Sequence, residues 1–142
     1  MSESENGAIV ALFEELAAAF SALDLPRLRV LYEIPCMMVA PQAVAQIQNE
    51  DEFAAFFTPM MQRLHAAGFA RSAFDRFSVH LLAPTLALAS MRWTRHRTDG
   101  TALEQLGATY TLIQRDSAWR IVGLIGHAAD ASLTFGRSEI VR

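Results

Sequence analysis

Few side chains in this sequence can do acid, base or nucleophilic work, and they do not cluster. The histidines are His65, His80, His96 and His127, and no pair has the His-x-His or His-x-x-x-His spacing of a local metal site. No metal and no cofactor is expected. His127 ends the last apolar run, with Asp130 three residues on, and could act as a base near neutral pH. The competing reading, a surface or dimer-interface histidine bonded locally, is the simpler one. His80 falls opposite the apolar face of its strand and reads as outward, His65 as solvated, and His96 as part of a basic strand end with Arg92, Arg95 and Arg97. Cys36 is the one cysteine, so no intrachain disulfide can form, and nothing nearby in sequence would activate its thiol. It reads as buried and inert. Tyr32, Tyr110 and Trp93 have apolar bodies with one polar tip, and could orient a ligand or simply satisfy that tip at the core edge. No Gly-rich phosphate loop and no Gly-x-Ser-x-Gly elbow is present.

The elements that would position these groups are legible as periodicity. Ile9, Leu12, Phe13, Leu16 and Phe20 make one helical stripe, predicting a helix over about 8–22. Asp24 and Pro26 then suit the start of a short second helix reaching about Glu33, where Pro35 should stop it. Residues 36–40 and 43–48 are two short strand candidates around Pro41-Gln42. Asn49 followed by Glu52 opens a third helix with Phe53, Phe56, Phe57, Met60 and Leu64 on its stripe. Pro59 should kink or break it near residues 55–58, and Gly68 should cap it. A strand follows over 74–82. Three long strands come next, over 86–98, 106–115 and 119–128, turned at Asp99-Gly100 and Asp116-Ser117. This order predicts an α+β fold: a curved mixed sheet of about six strands wrapped over three N-terminal helices. One domain over 8–130 is expected, with 1–7 and 131–142 as frayed tails.

The bulk numbers narrow the function classes. The chain has 142 residues, of which 52% are hydrophobic and 19% charged, enough for one core with apolar surface to spare. A net charge of −3 and a pI near 5.8 argue against a nucleic-acid partner. No apolar run approaches the ~18 residues that span a bilayer, and the N-terminus is acidic, unlike a signal peptide. No membrane association and a cytoplasmic location are the expectations.

Three short motifs, in this order of elements, resemble the nuclear transport factor 2-like superfamily, which includes ketosteroid isomerase, scytalone dehydratase and the SnoaL-like polyketide cyclases. They are Leu31-Tyr32-x-x-Pro35, Met91-Arg-Trp-Thr94 and Ala118-Trp119-Arg-Ile-Val122. The resemblance covers about 8–130. It implies a cone-shaped, barrel-like sheet around an apolar pocket, and, as in many members, dimerisation through the outer sheet face. It also marks what is missing. The position resembling the isomerase's general-base aspartate holds Ala40, and that of its second acid holds Thr111. The first helix has no tyrosine, and the cyclases' late aspartate is replaced by Gly126. Steroid-isomerase chemistry is therefore not expected.

The resulting expectation is a SnoaL-like pocket protein that binds, and could transform, a small apolar or aromatic molecule. Its lining is expected to include Phe13, Tyr32, Met38, Phe57, Trp93, Tyr110, Thr111 and His127. The alternative is a non-catalytic dimerising module whose cavity is filled by its own side chains. A homodimer is expected in either case, because an outer face bearing Leu112, Ile121 and Ile125 would leave an apolar patch in water. A C-terminal tail folded over that patch would instead leave a monomer.

Overall fold

The helical stripe of the N-terminus has to be buried, and a long bent sheet buries it. The computed structural model describes residues 3–135 and 140–141, with side chains over 6–135; Met1, Ser2, residues 136–139 and Arg142 lie outside that description. Helix α1 spans Glu3–Ser21, α2 Leu25–Arg29 and α3 Glu50–Ala66. The strands are β1 Tyr32–Ala40, β2 Ala43–Ile47, β3 Phe69–Ala83, β4 Leu86–Arg97, β5 Ala102–Arg115, β6 Ala118–His127 and the two-residue β7 Ile140–Val141. They form one sheet in the order β2-β1-β6-β5-β4-β3-β7. Every pairing is antiparallel except β1 with β6, so the sheet is mixed. Two edges remain, and the sheet does not close into a barrel.

The core lies between the helices and the face of the sheet they cover. Ile9, Leu12, Phe13, Leu16 and Phe20 of α1 are buried there with Phe53, Phe57, Met61 and Leu64 of α3. Caps fix where the helices begin. The Asp24 side chain accepts from the Arg27 N–H, and that of Asn49 accepts from the Glu52 N–H at 2.9 Å. The Glu52 carboxylate in turn accepts from the Gln48 N–H. Gly68, at φ +86, follows the end of α3 in the left-handed conformation that suits glycine.

Several expectations are corrected. Helix α1 takes in residues 3–7, so that stretch is not a frayed end. Helix α2 ends at Arg29, and Tyr32 and Pro35 belong to β1. Helix α3 runs through Pro59 without a break, because its buried stripe of Phe53, Phe57, Met61 and Leu64 outweighs one lost backbone bond. The first long strand, β3, begins at Phe69, five residues early.

The C-terminal stretch is also not a free tail. A single 3-10 turn at Ala129–Ala131 leads the chain onto the outer face of the sheet. There the Leu133 N–H donates to Ser90 Oγ at 2.8 Å and the Phe135 N–H to Ser78 Oγ at 3.3 Å. The Phe135 ring stacks on His80 at 5.6 Å. Ser78 and Ser90 are thereby buried on a face that alternation alone assigns to solvent.

Leu112 and Ile121, expected on the outer face, both lie fully buried on the covered one. Leu112 shares parity with Ala108 and Tyr110 along β5. Ile121 pairs with it across an irregularity in which Thr111 meets Gly123 but Leu112 meets Ile121, leaving Val122 as the extra residue. That bulge shifts the parity of β6, so Ile125 does stay outside.

Candidate functional site

A cavity of about 540 Å³ lies between α1, α3 and the covered face of the sheet. The sheet supplies its lining by alternation. On β4, Trp93 and Arg95 face it; on β5, Leu106, Ala108 and Tyr110; on β1, Met38 and Ala40. Helix α1 adds Leu16 and Phe20, and α3 adds Phe56, Phe57 and Met60. Gly126 of β6 and the exposed turn residues Pro41 and Gln42 border it at one end.

Of the residues expected in the lining, Tyr32, Met38, Phe57, Trp93 and Tyr110 are there. His127 borders the cavity, but its ring is bound elsewhere. Nε2 meets Thr109 Oγ1 at 2.8 Å, and Nδ1 meets the Ala128 carbonyl at 2.9 Å. Gly107 makes that position possible: a Cβ there would stand 2.3 Å from the ring. Thr109 in turn bonds Ser90 at 2.8 Å, so His127 belongs to the polar seam that holds the C-terminal stretch. Phe13 does not line the cavity; it lies in the core behind it, with its ring 4.8 Å from that of Tyr110. Thr111 is on the outer face, beside Gly123. Cys36 is buried, and burial pushes its thiol up.

Besides Gln42, Ser72 and His127, the cavity's lining carries polar groups that donate hydrogen bonds. Trp93 Nε1 donates to the Tyr110 hydroxyl at 3.0 Å, which leaves the Tyr110 proton free to be donated onward. The Tyr32 hydroxyl has no hydrogen-bond partner among the described residues. Burial pushes both phenols up; for Tyr110 it outweighs the opposing pull of the Trp93 bond and the Arg95 charge. Both therefore remain protonated donors at neutral pH.

Arg95 is the lining residue that sequence reasoning missed. The basic run at 92–97 reads as a solvated strand end, and this holds for Arg97, which is exposed, while Arg92 pairs with Asp75 across β3. Arg95 instead is buried, over the Phe20 ring at 5.1 Å. Strict alternation along β4 carried the signal, since Arg95 shares the face of Met91 and Trp93. None of the cavity's lining residues is an aspartate or glutamate. The site can hold and polarise an oxygen atom, and it offers no carboxylate to remove a proton. Among the described residues, no three His, Cys, Asp or Glu side chains converge as a metal site would need.

The family model described as NTF2-like protein (DUF6841) matches residues 3–129. The chain belongs to that family. No curated protein matches it. Solved structures with the same fold include Aln2 from a Streptomyces species, at TM-score 0.75 and 13% identity over 92% of this chain and 94% of that one. An NTF2-like protein with a cystatin-like fold from Novosphingobium aromaticivorans aligns at TM-score 0.73 and 18% identity, covering 91% and 84%. A ketosteroid isomerase-like protein from Erwinia carotovora atroseptica aligns at TM-score 0.65 and 15% identity, covering 88% and 96%. At such identities the likeness extends to the fold alone. No helix among the described residues is long and apolar enough to cross a membrane.

Proposed function

We propose that this NTF2-like chain is a pocket protein that binds a small apolar or aromatic molecule carrying a hydrogen-bond acceptor. The observation that supports this reading is the cavity itself: about 540 Å³, within the range of small-molecule sites, walled by aromatic, aliphatic and methionine side chains. A module that fills its own interior would not have it. The unspent donors of Tyr32 and Tyr110 give the ligand its polar end. Isomerase chemistry is not part of the proposal, since Ala40 brings only a methyl group to the wall. Any transformation would have to run through the phenols or bound water.

A thermal-shift screen of small aromatic and apolar compounds tests this. Hits are expected, with quenching of Trp93 fluorescence. Leu124→Trp, which fills the cavity from β6, should weaken those hits at least ~10-fold, as losing ~1.4 kcal/mol of binding would. A broad panel without a single hit would overturn the reading.

We also propose that two copies pair through the outer face of the sheet. Leu112 and Ile121 no longer support this, but other residues do. The register lays Val44, Val39 and Ile125 in one row across β2, β1 and β6, with Met37 beside Gly123 in the next. Val44 is 66% exposed, Ile125 47% and Met37 41%, an apolar strip apart from Ser78, His80 and Ser90, where the described C-terminal residues Leu133 and Phe135 bind. Sedimentation at micromolar concentration should give twice the 15.7 kDa of one chain, and Ile125→Glu should return it to one. A wild-type mass of one chain would sink this proposal.

A further inference from the structure

Arg95 places a guanidinium in the wall of an otherwise apolar cavity, and most of its hydrogen-bonding capacity is unspent. Nη1 donates to Glu104 Oε2 at 2.5 Å. The opposite edge, where the Nε–H and one Nη2–H run parallel, is the edge that grips a carboxylate with two bonds. Here Nε is buried without a partner, and Nη2 meets only the thioether of Met60, at 3.7 Å. A thioether is a weak acceptor, and methionine is flexible enough to swing aside. Met60 and Phe20, which also pack against this guanidinium, both line the cavity.

The charge balance points the same way. Glu104 accepts from Arg95 and also from Arg63, at 3.3 Å, so two cations share one carboxylate. The cluster carries a net positive charge, one end of it in an apolar wall, and a single anion there would neutralise it. Tyr32 and Tyr110 are donors as well; Gln42, Ser72 and His127 also line the cavity, none of them an anion, and most of the other lining residues are apolar. A ligand complementary to this has an apolar or aromatic body and one acceptor-only, negatively charged end.

We infer that the cavity takes a small apolar or aromatic monocarboxylate, whose carboxylate docks on the Nε–Nη2 edge of Arg95 in place of the Met60 sulfur. This rests on the pocket reading above and narrows its ligand class. The same geometry would reject dianions, since one fork and one surplus charge are available. It would reject strongly polar bodies, which the apolar walls cannot satisfy.

Calorimetric titration of the full chain at pH 7.5 with three probes on one skeleton tests it: 3-phenylpropanoate, 3-phenylpropanamide and 3-phenylpropan-1-ol. The acid is expected to bind at least ~10-fold more tightly than either neutral probe, the low end for a charge-assisted fork. In R95Q the preference should vanish while the neutral probes still bind; in R95K, which keeps the charge and loses the fork, it should fall in between. An amide or alcohol that binds as tightly as the acid overturns the carboxylate assignment and leaves the pocket reading standing. An acid preference that survives in R95Q overturns the role of Arg95. If neither these probes nor any apolar compound binds, the pocket reading fails and this inference with it. Should R95Q not fold, the comparison of the three probes on the wild-type chain still decides.

Discussion

Phe13→Ala should cost the fold about 3–5 kcal/mol, the range for truncating a fully buried aromatic residue. Phe13 is completely enclosed and packs edge-on against three rings: Phe77 at 5.5 Å, Phe74 at 6.4 Å and Tyr110 at 4.8 Å. Those rings come from β3 and β5, so Phe13 ties α1 to the two strands that flank β4. An alanine leaves a hole that the long strands cannot close, because their ladders fix the backbone spacing. A domain of this size has a total stability of about 5–15 kcal/mol, so the variant should lose a large share of it. Urea unfolding should show the midpoint falling with the slope unchanged. Phe13→Leu, which keeps more of the volume, should lose less. A loss under about 1 kcal/mol, an ordinary value for any substitution, would show that Phe13 is not the tie described. Ligand binding should weaken too, since Tyr110 stands between Phe13 and the cavity.

The helix stripe that contains Phe13 was readable because helical periodicity survives any tertiary context: Ile9, Leu12, Phe13, Leu16 and Phe20 are all buried as spaced. The turns were readable because their chemistry is local. Asp99 caps the Thr101 N–H at 2.9 Å and Gly100 takes φ +88, as a tight reversal requires. Sheet faces were less legible. A bulge on β6 and others on β3 shift the alternation by one residue, and nothing in a single sequence marks them. Ile121 reads as sharing a face with Ile125 for that reason; Thr111 and Leu112 lie on β5, which pairs with β4 without interruption from Glu104 to Ile113, and alternation alone does not say which of its faces the helices cover. Ser78 and Ser90 are buried because a distant segment covers them, which no local pattern encodes. Arg95 was hidden by its own type: a charge beside Arg92 and Arg97 reads as solvated, and only its partner Glu104, nine residues away on the next strand, explains why it can be inside. The cavity's aromatic walls follow from residue type, while the cation in them is signalled only by the parity Arg95 shares with Met91 and Trp93 on β4.

Glu104→Gln should cost about 3 kcal/mol, the low end for removing one partner of a buried ion pair. The low end applies because the Glu104 side chain is 33% exposed, while that of Arg95 is only 10%. The loss falls on Arg95. Burial already pulls its guanidinium below the ordinary range, Glu104's charge and hydrogen bond oppose that pull, and the Arg63 charge adds to it. With glutamine in place, Arg95 keeps its charge, its cost of leaving water and the repulsion of Arg63, and has no anion to offset them. Acid should reproduce the effect in the wild-type chain. Burial pushes the Glu104 carboxyl up, but the Arg95 charge and the bonds from Arg63 and Arg95 outweigh it, so its folded pKa lies below the ordinary 4.5. A depressed carboxyl contributes stability that is fully present above the unfolded value, and that stability is lost as pH falls through the folded one. Asp75 and Glu15, held down by Arg92 and Arg27, titrate with the same sign, so the absolute acid response does not isolate Glu104. The difference between wild type and Glu104→Gln does. Urea unfolding of both proteins should give a gap of about 3 kcal/mol at pH 7 that narrows below pH ~4.5, as the protonated wild-type side chain becomes an uncharged near-match of glutamine. A gap that stays constant down to acid would mean that the carboxylate charge is not what keeps Arg95 in the wall.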